Sequence, residues 1–532
     1  MRTIAWRHLA PVLAWFVTIA AAAFFTTGLA EAKNARTLHK PIKPRFTIQV
    51  PDVRSPTFRS PDGGSWQAVA PAPFGAGTML QLTDGRVLVH DSCTRDWWTL
   101  TPNSRGSYAN GKWTQVASMQ AGYGPLYFSS ALLPDGRVVV NGGEYNNSGS
   151  GCPQNGAWTT KGSIYDPVAD AWTEVLPPSG WSTIGDAQNV VLPDGRYWLA
   201  NCCTSQIAEL DPTTLTWTNV PSTGHADSSN DEAGWTLLPD GSFVAVDAFT
   251  SGTQSHAERY FNNQWNDAGN LVKLNDSAGL CGSNPSFEVG PAVLLPNGKV
   301  FATGATNHTA VYTPSTNSWV AGPDFPVVSG TDPDGIADGP GALLPSGNVL
   351  LMSSPCLFAP PAHFFEYNGS SLVRVSDPPN APFEPSFVGR LMVLPTGEVL
   401  FTDGSSDVEI YRPRGRANKA WKPVVTDTPT QIKQGQRFRL TGKRLNGMSQ
   451  ASVYGDDSSS ATNYPLVRIT NNATGRVTYA RTYGFSSMAV ANSNKAHTQV
   501  KISNKTPTGA STLEVVANGI ASDPVAITIQ PR

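Results

Sequence analysis

The chain has 532 residues, 15 % of them charged, and its formal net charge at pH 7 is −2. Because it has no basic face and no long lysine or arginine run, nucleic acid is not an expected partner. The length exceeds one ordinary core, which predicts one large repeat domain and a smaller one. Glycine (49) and proline (43) are abundant, as a turn-rich all-β protein requires.

Residues 1–32 are predicted to be a signal peptide. Two arginines precede an apolar run from Leu9 to Ala30, and the segment ends in Leu-Ala-Glu-Ala, which predicts cleavage after Ala30 or Ala32. An uncleaved membrane anchor is the alternative, since the run is long enough to span a bilayer. Only in that case is the membrane a partner. Both interpretations place the protein outside the cytoplasm, secreted or periplasmic, and residues 33–60 are predicted to be a linker.

A short turn unit recurs seven times, at intervals of about 45 to 60 residues. Its copies are Leu-Thr-Asp-Gly (82–85), Leu-Pro-Asp-Gly (133–136, 192–195 and 238–241), Leu-Pro-Asn-Gly (295–298), Leu-Pro-Ser-Gly (344–347) and Leu-Pro-Thr-Gly (394–397). An apolar run precedes most copies and a valine-rich or aromatic run follows, so each predicts a tight β-hairpin. The period predicts a seven-bladed β-propeller over residues 61–415.

Other blade elements keep a fixed place relative to each hairpin. A glycine pair, a Tyr-x-Pro turn and an outer-strand tryptophan follow at intervals of about one strand, and these residues resemble the kelch signature. The outer-strand tryptophans are Trp113, Trp172, Trp217, Trp265 and Trp319. Residues 66–69 have the outer-strand pattern before the first hairpin, which predicts that they close the last blade beside residues 408–413.

Residues 421–532 carry short strand-like runs without the blade period, which predicts an immunoglobulin-like β-sandwich. The stretches 461–468 and 479–488 resemble the C-terminal early-set domain of galactose oxidase and glyoxal oxidase. A kelch propeller followed by this domain is the order found in the copper-radical oxidases. The mature chain therefore resembles a galactose oxidase-like protein.

The resemblance implies a copper ion held by two tyrosines and two histidines, with one tyrosine cross-linked to a cysteine. Counting back from the hairpins places Tyr127 at the cysteine position and Asp186 at the radical tyrosine position. The axial Tyr-His pair matches Phe387 and Val388, and the C-terminal histidine matches Tyr483 or Phe485. Phe and Val offer copper(II) no donor, so copper is not expected and a copper oxidase is the least favoured function.

Carboxylates occupy the same level of the predicted funnel in four successive blades. The candidate ligand-binding residues are Tyr127, Asp186, Glu232, Glu288, Asp338, Glu384 and Arg390. In one interpretation the acids cap backbone amides or pair with Arg390. In a second they hold a divalent cation such as Ca²⁺, although no cofactor is required. In a third, Asp186 and Glu232 act as a general acid/base pair on a glycan. The aromatic residues Tyr123, Tyr127, Trp181 and Trp235 are candidates for stacking on sugar rings.

Six cysteines in an exported chain favour disulfides over metal-thiolate sites. Cys93 and Cys152 are predicted to pair between consecutive blades, and Cys281 and Cys356 to pair similarly. Cys202 and Cys203 are adjacent, which leaves either a vicinal disulfide or two free thiols.

The leading functional hypothesis is an exported, non-copper relative of galactose oxidase that binds carbohydrate or another cell-surface ligand in an acidic funnel. A polysaccharide hydrolase or lyase that uses the funnel carboxylates is the alternative.

Overall fold

The computed structural model describes residues 63–153, 156–226, 228–247, 255–272, 274, 288–355, 357–454 and 460–532. The predicted signal peptide or anchor and the linker lie outside these residues. Within them, regular structure is β-strand apart from three single 3₁₀ turns, Ala381–Phe383, Ser386–Val388 and Lys419–Trp421. No helix in this described part is long and apolar enough to cross a bilayer. The all-β prediction is confirmed.

In the described residues, seven antiparallel sheets form the blades, numbered in the order of their hairpins; six have four strands, and the sheet of blade 6 has two short additional strands. The first strand, β1 (Ser65–Ala68), belongs to the last blade. Blade 1 contains β2 (Ala76–Gln81), β3 (Val87–Asp91), β4 (Trp97–Thr101) and β5 (Lys112–Val116). Between blades 1 and 2 in the chain comes β6 (Pro125–Leu126), which pairs with β9 (Tyr145–Asn146). Blade 2 contains β7 (Ser129–Leu132), β8 (Val138–Asn141), β10 (Gly162–Asp166) and β11 (Ala171–Val175). Blade 3 contains β12 (Asn189–Val191), β13 (Tyr197–Ala200), β14 (Ile207–Asp211) and β15 (Thr216–Val220).

The remaining blades repeat this arrangement. Blade 4 contains β16 (Gly234–Leu237), β17 (Phe243–Asp247), β18 (Ser255–Phe261) and β19 (Gln264–Leu271). Blade 5 contains β20 (Val289–Leu294), β21 (Val300–Gly304), β22 (Ala310–Thr313) and β23 (Ser318–Ala321). Blade 6 contains β24 (Asp334–Gly335), β25 (Gly341–Leu343), β26 (Val349–Pro355), β27 (His363–Tyr367) and β28 (Leu372–Arg374), with β24 as a short addition on β26. Blade 7 contains β29 (Arg390–Val393), β30 (Val399–Thr402), β31 (Val408–Arg412) and β1.

The ring is closed by joining the two ends of the propeller in blade 7. Strand β1 pairs antiparallel with β31, with Trp66 opposite Tyr411. The Trp66 indole N–H donates to the carbonyl of Ser376 in blade 6 at 2.6 Å, and its ring packs edge-on against Phe364. The predicted closure is confirmed, and it removes a free sheet edge from the propeller.

The seven hairpins share one hydrogen-bond pattern. In blade 1 the Leu82 N–H donates to the Arg86 carbonyl at 2.8 Å, and the Gly85 N–H donates to the Leu82 carbonyl at 3.1 Å. The same two bonds recur in the other six copies. Each hairpin glycine has a φ between +81° and +98°, a region that side chains rarely adopt and glycine adopts freely.

Outer-strand tryptophans join neighbouring blades through their indole N–H groups. Trp172 donates to Ala117, Trp217 to Leu176 and Trp319 to Ala268, each at 2.7 to 3.0 Å. Each acceptor carbonyl belongs to the end of the preceding blade or to the loop after it. These tryptophans therefore have the packing role that their repeated position predicts.

The C-terminal region forms a nine-stranded sheet that curls back on itself. Its strands are β32 (Val424–Asp427), β33 (Gln431–Lys433), β34 (Arg437–Lys443), β36 (Leu466–Asn471), β37 (Val477–Tyr483), β38 (Lys495–Lys501), β39 (Gly509–Ala517), β40 (Ile520–Ala521) and β41 (Val525–Gln530). Strand β37 pairs with β36 through its first half and with β38 through its second half. Phe438 and Val500 from one half of the sheet share a core with Val467 and Leu513 from the other. This two-layer arrangement is compatible with the immunoglobulin-like prediction.

One stretch of the C-terminal region enters the centre of the propeller. It consists of residues 449–454 and 460–464 and is called the axial segment below. Its short strand β35 (Ser452–Val453) pairs with β25, the inner strand of blade 6. Gln450 accepts from the Leu237 N–H in blade 4, and the Tyr464 hydroxyl donates to the Gln81 carbonyl in blade 1. Because inner strands of several blades contact it, the axial segment lies on the propeller axis.

Candidate functional site

Four of the candidate residues stand at one level because each precedes its hairpin by the same number of residues. Tyr127, Asp186, Glu232 and Asp338 each lie six residues before the leucine of their hairpin. The hairpins are superimposable turns on the innermost strands, so equal counts place these residues at equal heights around the axis. Tyr127, Glu232 and Asp338 also share a left-handed φ of +48° to +57°, which is uncommon outside glycine and clusters at functional sites.

Three of the predicted acids converge in one buried group. Carboxylate oxygens of Glu232, Glu288 and Asp338 lie within 4.8 Å of one another. The three residues come from blades 4, 5 and 6, and each is at most 1 % exposed. Buried carboxylates this close repel each other, so the group favours a bound cation. Oxygen donors of this kind suit hard ions such as Ca²⁺. We refer to it as the three-carboxylate cluster.

Asp186 belongs to a different group. Its carboxylate lies within 4.8 Å of an Asp231 oxygen and of the Cys202 sulfur. Asp186 and Asp231 are both buried. The predicted pair of Asp186 and Glu232 is therefore divided between two groups. Asp231 was missed at the sequence level because a run of two acids gives no sign of which side chain points inward.

Glu384 lies with neither group. It follows the 3₁₀ turn Ala381–Phe383 in blade 7, where burial, and then the neighbouring Asp403 carboxylate, raise its pKa well above the usual range. Its hydrogen bond with Asp403 requires a shared proton. Glu384 therefore forms a carboxyl pair with Asp403 in its own blade, and its ligand-binding role stays a prediction.

A cavity of about 170 Å³ opens beside blades 7, 1 and 2. Its walls include Tyr127, Tyr145, Phe387, Arg390 and Asp403. The two tyrosine rings meet edge to face, with centroids 6.1 Å apart. An aromatic wall with a few polar groups is typical of ligand pockets. We refer to it as the funnel cavity.

The other predicted stacking residues are packed into the blades. The Tyr123 hydroxyl donates to the Gly142 carbonyl at 2.9 Å, and Trp235 packs against Phe243 at 4.9 Å. Trp181 is 6 % exposed within the core that blades 2 to 5 share. Of the four residues predicted to stack on sugar rings, Tyr127 is therefore the one found among the described residues that line the funnel cavity.

His90 is a cavity residue that the sequence did not reveal. It is 1 % exposed, its Nε2 lies 2.8 Å from the Thr94 carbonyl, and its ring packs on Trp97. Burial lowers the pKa of His90 to about 4, despite the carbonyl and the nearby Asp96. The funnel cavity therefore contains a neutral imidazole at neutral pH.

The position of Phe485 differs from its predicted place in the funnel. Its backbone N–H donates to the Pro134 carbonyl in the hairpin of blade 2, and its ring stacks on Tyr464. Tyr483 lies in β37 of the C-terminal sheet. Within the described part of the C-terminal region, Tyr454 of the axial segment reaches the level of Phe387, and its hydroxyl donates to the Phe387 carbonyl at 2.7 Å.

The residues at the matched positions do not form the ligand set that a copper-radical site needs. Phe387 and Val388 carry no donor atom, and Tyr127 faces Tyr145 and Arg390. Neither carboxylate group found in the described residues contains a histidine. Described histidines have other partners: His90 with Thr94, His225 with Glu258, His256 with Asp267, His308 with Asp324 and His363 with Asp334.

Two disulfides border the site. Cys93 and Cys152 are bonded, with Cα atoms 5.7 Å apart, and both line the funnel cavity. This predicted pair is confirmed. Cys202 and Cys203 form a vicinal disulfide, which decides between the two alternatives that the sequence left open. Cys281 and Cys356 lie outside the described residues.

Comparisons with known proteins support the resemblance to galactose oxidase. Two curated galactose oxidases from Gibberella zeae are similar to this chain. One is 24 % identical over 365 residues, which cover 64 % of this chain and 46 % of the relative. The other, from strain PH-1, is 23 % identical over 353 residues, which cover 62 % and 45 %. The propeller is galactose oxidase-like. This galactose oxidase-like chain spans about half the length of the curated relatives it matches.

Solved structures give weaker similarity to this galactose oxidase-like chain. A fungal alcohol oxidase of the AA5 family, in complex with copper, covers 86 % of this chain and 85 % of its own, with 15 % identity and a TM-score of 0.40. A virginiamycin B lyase from Staphylococcus aureus covers 66 % of this chain and 99 % of its own, with 9 % identity and a TM-score of 0.42. No protein-family model matches the chain.

Proposed function

We propose that this is an exported galactose oxidase-like protein that binds carbohydrate in its funnel without copper-radical chemistry. The observation that carries the proposal is the three-carboxylate cluster of Glu232, Glu288 and Asp338, which occupies the level where the resemblance implies copper ligands. Carboxylates accept hydrogen bonds from sugar hydroxyls, and the aromatic wall of the funnel cavity suits the apolar face of a sugar ring. Ca²⁺ is the cation that this oxygen-donor cluster would select. Export is supported by the disulfide between Cys93 and Cys152.

Metal analysis of the purified chain tests the copper part of the proposal. We expect copper far below one equivalent per chain and no protein radical signal in electron paramagnetic resonance. Stoichiometric copper with a radical signal would contradict the proposal.

Saccharide binding tests the ligand part. We expect a panel of oligosaccharides to include a ligand whose affinity falls about tenfold or more in Glu232→Gln, because hydrogen bonds to charged groups are worth roughly 1.5–3 kcal/mol. Glu174→Gln, which changes an exposed residue on the outer strand of blade 2, is the matched control and should bind normally. Repeating the titration with Ca²⁺ and with a chelator shows whether the cluster uses a cation. The absence of any saccharide ligand would overturn the proposal.

A polysaccharide hydrolase or lyase is the second candidate, because Asp186 and Asp231 form a buried acid pair. Asp186→Asn should abolish turnover if the pair is catalytic. Saccharide binding by the wild-type chain without product formation would exclude this candidate.

A further inference from the structure

Arg390 places a fixed positive charge on the wall of the funnel cavity. Its side chain is 4 % exposed, and one guanidinium nitrogen donates to the carbonyls of Phe387 and Gly389 at 3.0 and 2.8 Å. An arginine remains charged at any pH at which proteins fold. These two hydrogen bonds hold the plane of the guanidinium in one orientation relative to the cavity.

Two tyrosines enclose this guanidinium. Its central carbon lies 3.6 Å from the ring centroid of Tyr454 and 5.4 Å from that of Tyr127. Cation–π contacts of this kind are strongest where water is excluded. Because Tyr454 comes from the axial segment, the charged wall requires both the propeller and the C-terminal region.

The cavity also presents a fixed hydrogen-bond acceptor. Asp403 lines it, and the carboxylate accepts from the Ser405 N–H at 2.8 Å and from the Asn380 amide at 3.2 Å, besides its hydrogen bond with Glu384. A carboxylate has about four acceptor sites, so Asp403 can still receive one ligand hydroxyl. The cavity therefore combines a cation, an anionic acceptor and aromatic rings.

We propose that the funnel cavity binds a sugar acid, that is, a saccharide unit bearing a carboxylate, with its carboxylate on Arg390 and a hydroxyl donating to Asp403. Planar pairing of guanidinium with carboxylate is strong and directional. A doubly charged sugar phosphate fits less well, because the Asp403 carboxylate on the same cavity repels additional negative charge. This inference rests on the proposed carbohydrate-binding function and specifies its ligand class.

The test compares two matched probes, tri-galacturonate and the neutral galactotriose, by isothermal titration calorimetry on the full-length mature chain. We expect the acidic probe to bind about tenfold or more tightly than the neutral one, in line with one charge-assisted hydrogen-bonded pair. Arg390→Gln should abolish the preference, so that the acidic probe binds with about the affinity of the neutral probe. Arg390→Lys should keep part of the preference, because it retains the charge but loses the planar fork.

Arg86→Gln is the control, since Arg86 pairs with Asp84 in the hairpin of blade 1 and does not line the cavity. Equal binding of the two probes by the wild type would overturn the inference and leave the carbohydrate-binding function standing. Loss of preference in Arg86→Gln as well would also overturn it. Failure of both probes to bind would overturn the inference, whereas a neutral saccharide found in the wider panel would still preserve the proposed function. If circular dichroism shows that Arg390→Gln does not fold, the comparison of the two probes in the wild type and in Arg390→Lys still tests the inference.

Discussion

Burial controls the charge state of individual residues around the funnel cavity. His90 and Glu384 are both almost fully enclosed, and desolvation is the largest cause of the pKa shift in each. Because burial penalises the charged form, the imidazole loses its proton more readily and the carboxyl keeps its proton longer. Both groups are therefore held neutral, whereas Arg390 stays charged. At the residue scale, the cavity carries the positive charge of Arg390 beside the neutral imidazole of His90.

The depressed pKa of His90 predicts a loss of stability in acid. The unfolded chain takes up a proton near pH 6.5, while the folded chain does so only near pH 4. Above pH 6.5 the His90 imidazole is neutral in both the folded and the unfolded chain, so it does not lower the stability there. The free energy of unfolding falls as the pH drops from about 6.5 to about 4. The loss is roughly 3 kcal/mol.

Urea unfolding measured between pH 4 and pH 8 checks this prediction. His90→Gln should flatten the pH dependence in that window, whatever its effect on stability at pH 7. His308→Gln, which changes an exposed histidine, should leave the wild-type slope unchanged. An equal slope in wild type and His90→Gln would contradict the assignment.

At the scale of the element, the repeated hairpin specifies the blade. Its glycine is required by backbone geometry in every copy, but the space around the glycine differs. A Cβ at Gly298 would meet nothing within 4 Å, whereas a Cβ at Gly85 would lie 2.4 Å from the Tyr479 ring of the C-terminal sheet. The glycine of this turn therefore has open space beside it in blade 5, whereas in blade 1 it packs against the C-terminal sheet.

These two glycines predict different costs for the same substitution. Gly298→Ala should lower the free energy of unfolding by about 1–2 kcal/mol, the cost of a left-handed alanine. Gly85→Ala should cost roughly 1–3 kcal/mol more, because Tyr479 must also move. Gly298→Asn is the control for backbone conformation and should cost less than Gly298→Ala, since asparagine tolerates a positive φ. Chemical denaturation of the three variants checks the order, and equal losses at the two glycines would contradict it.

At the scale of the whole molecule, the axial segment couples the two parts of the chain. The Leu237 N–H in blade 4 and the Val393 N–H in blade 7 donate to Gln450 and Ser452. These buried backbone groups have their acceptors in the C-terminal region, so the propeller loses acceptors for its own inner strands if that region unfolds.

We therefore predict a single cooperative thermal transition for the propeller and the C-terminal sheet. Gln450→Ala should lower the free energy of unfolding by about 1–3 kcal/mol, because it leaves a buried N–H without its acceptor. Gln115→Ala, on the exposed outer strand of blade 1, should have little effect. Differential scanning calorimetry that resolves two separate transitions in the wild type would refute the coupling.

Local patterns determined most of the propeller. The hairpin sequence, the outer-strand tryptophans and the strand that includes Trp66 are local signals, and each depends on a short stretch whose geometry is nearly independent of the rest. The pairing of Cys93 with Cys152 followed from their equivalent places in consecutive blades. Counting from the hairpins also predicted one level for Asp186, Glu232 and Asp338, six residues before their hairpin leucines, with Glu288 one residue further from its own.

Tertiary structure decided the direction of side chains and the path of long connections. Counting along a strand gives the height of a residue but not its rotation, so Asp186 joins Asp231 while Glu384 joins Asp403. The choice of Tyr454 over Phe485 depends on the pairing of β35 with β25, a contact between residues more than 100 positions apart. Such a contact is stabilised only once the ring of blades exists, and no local pattern encodes it. The sequence by itself thus determined the scaffold and the level of the site, and the folded ring decided which side chains meet there.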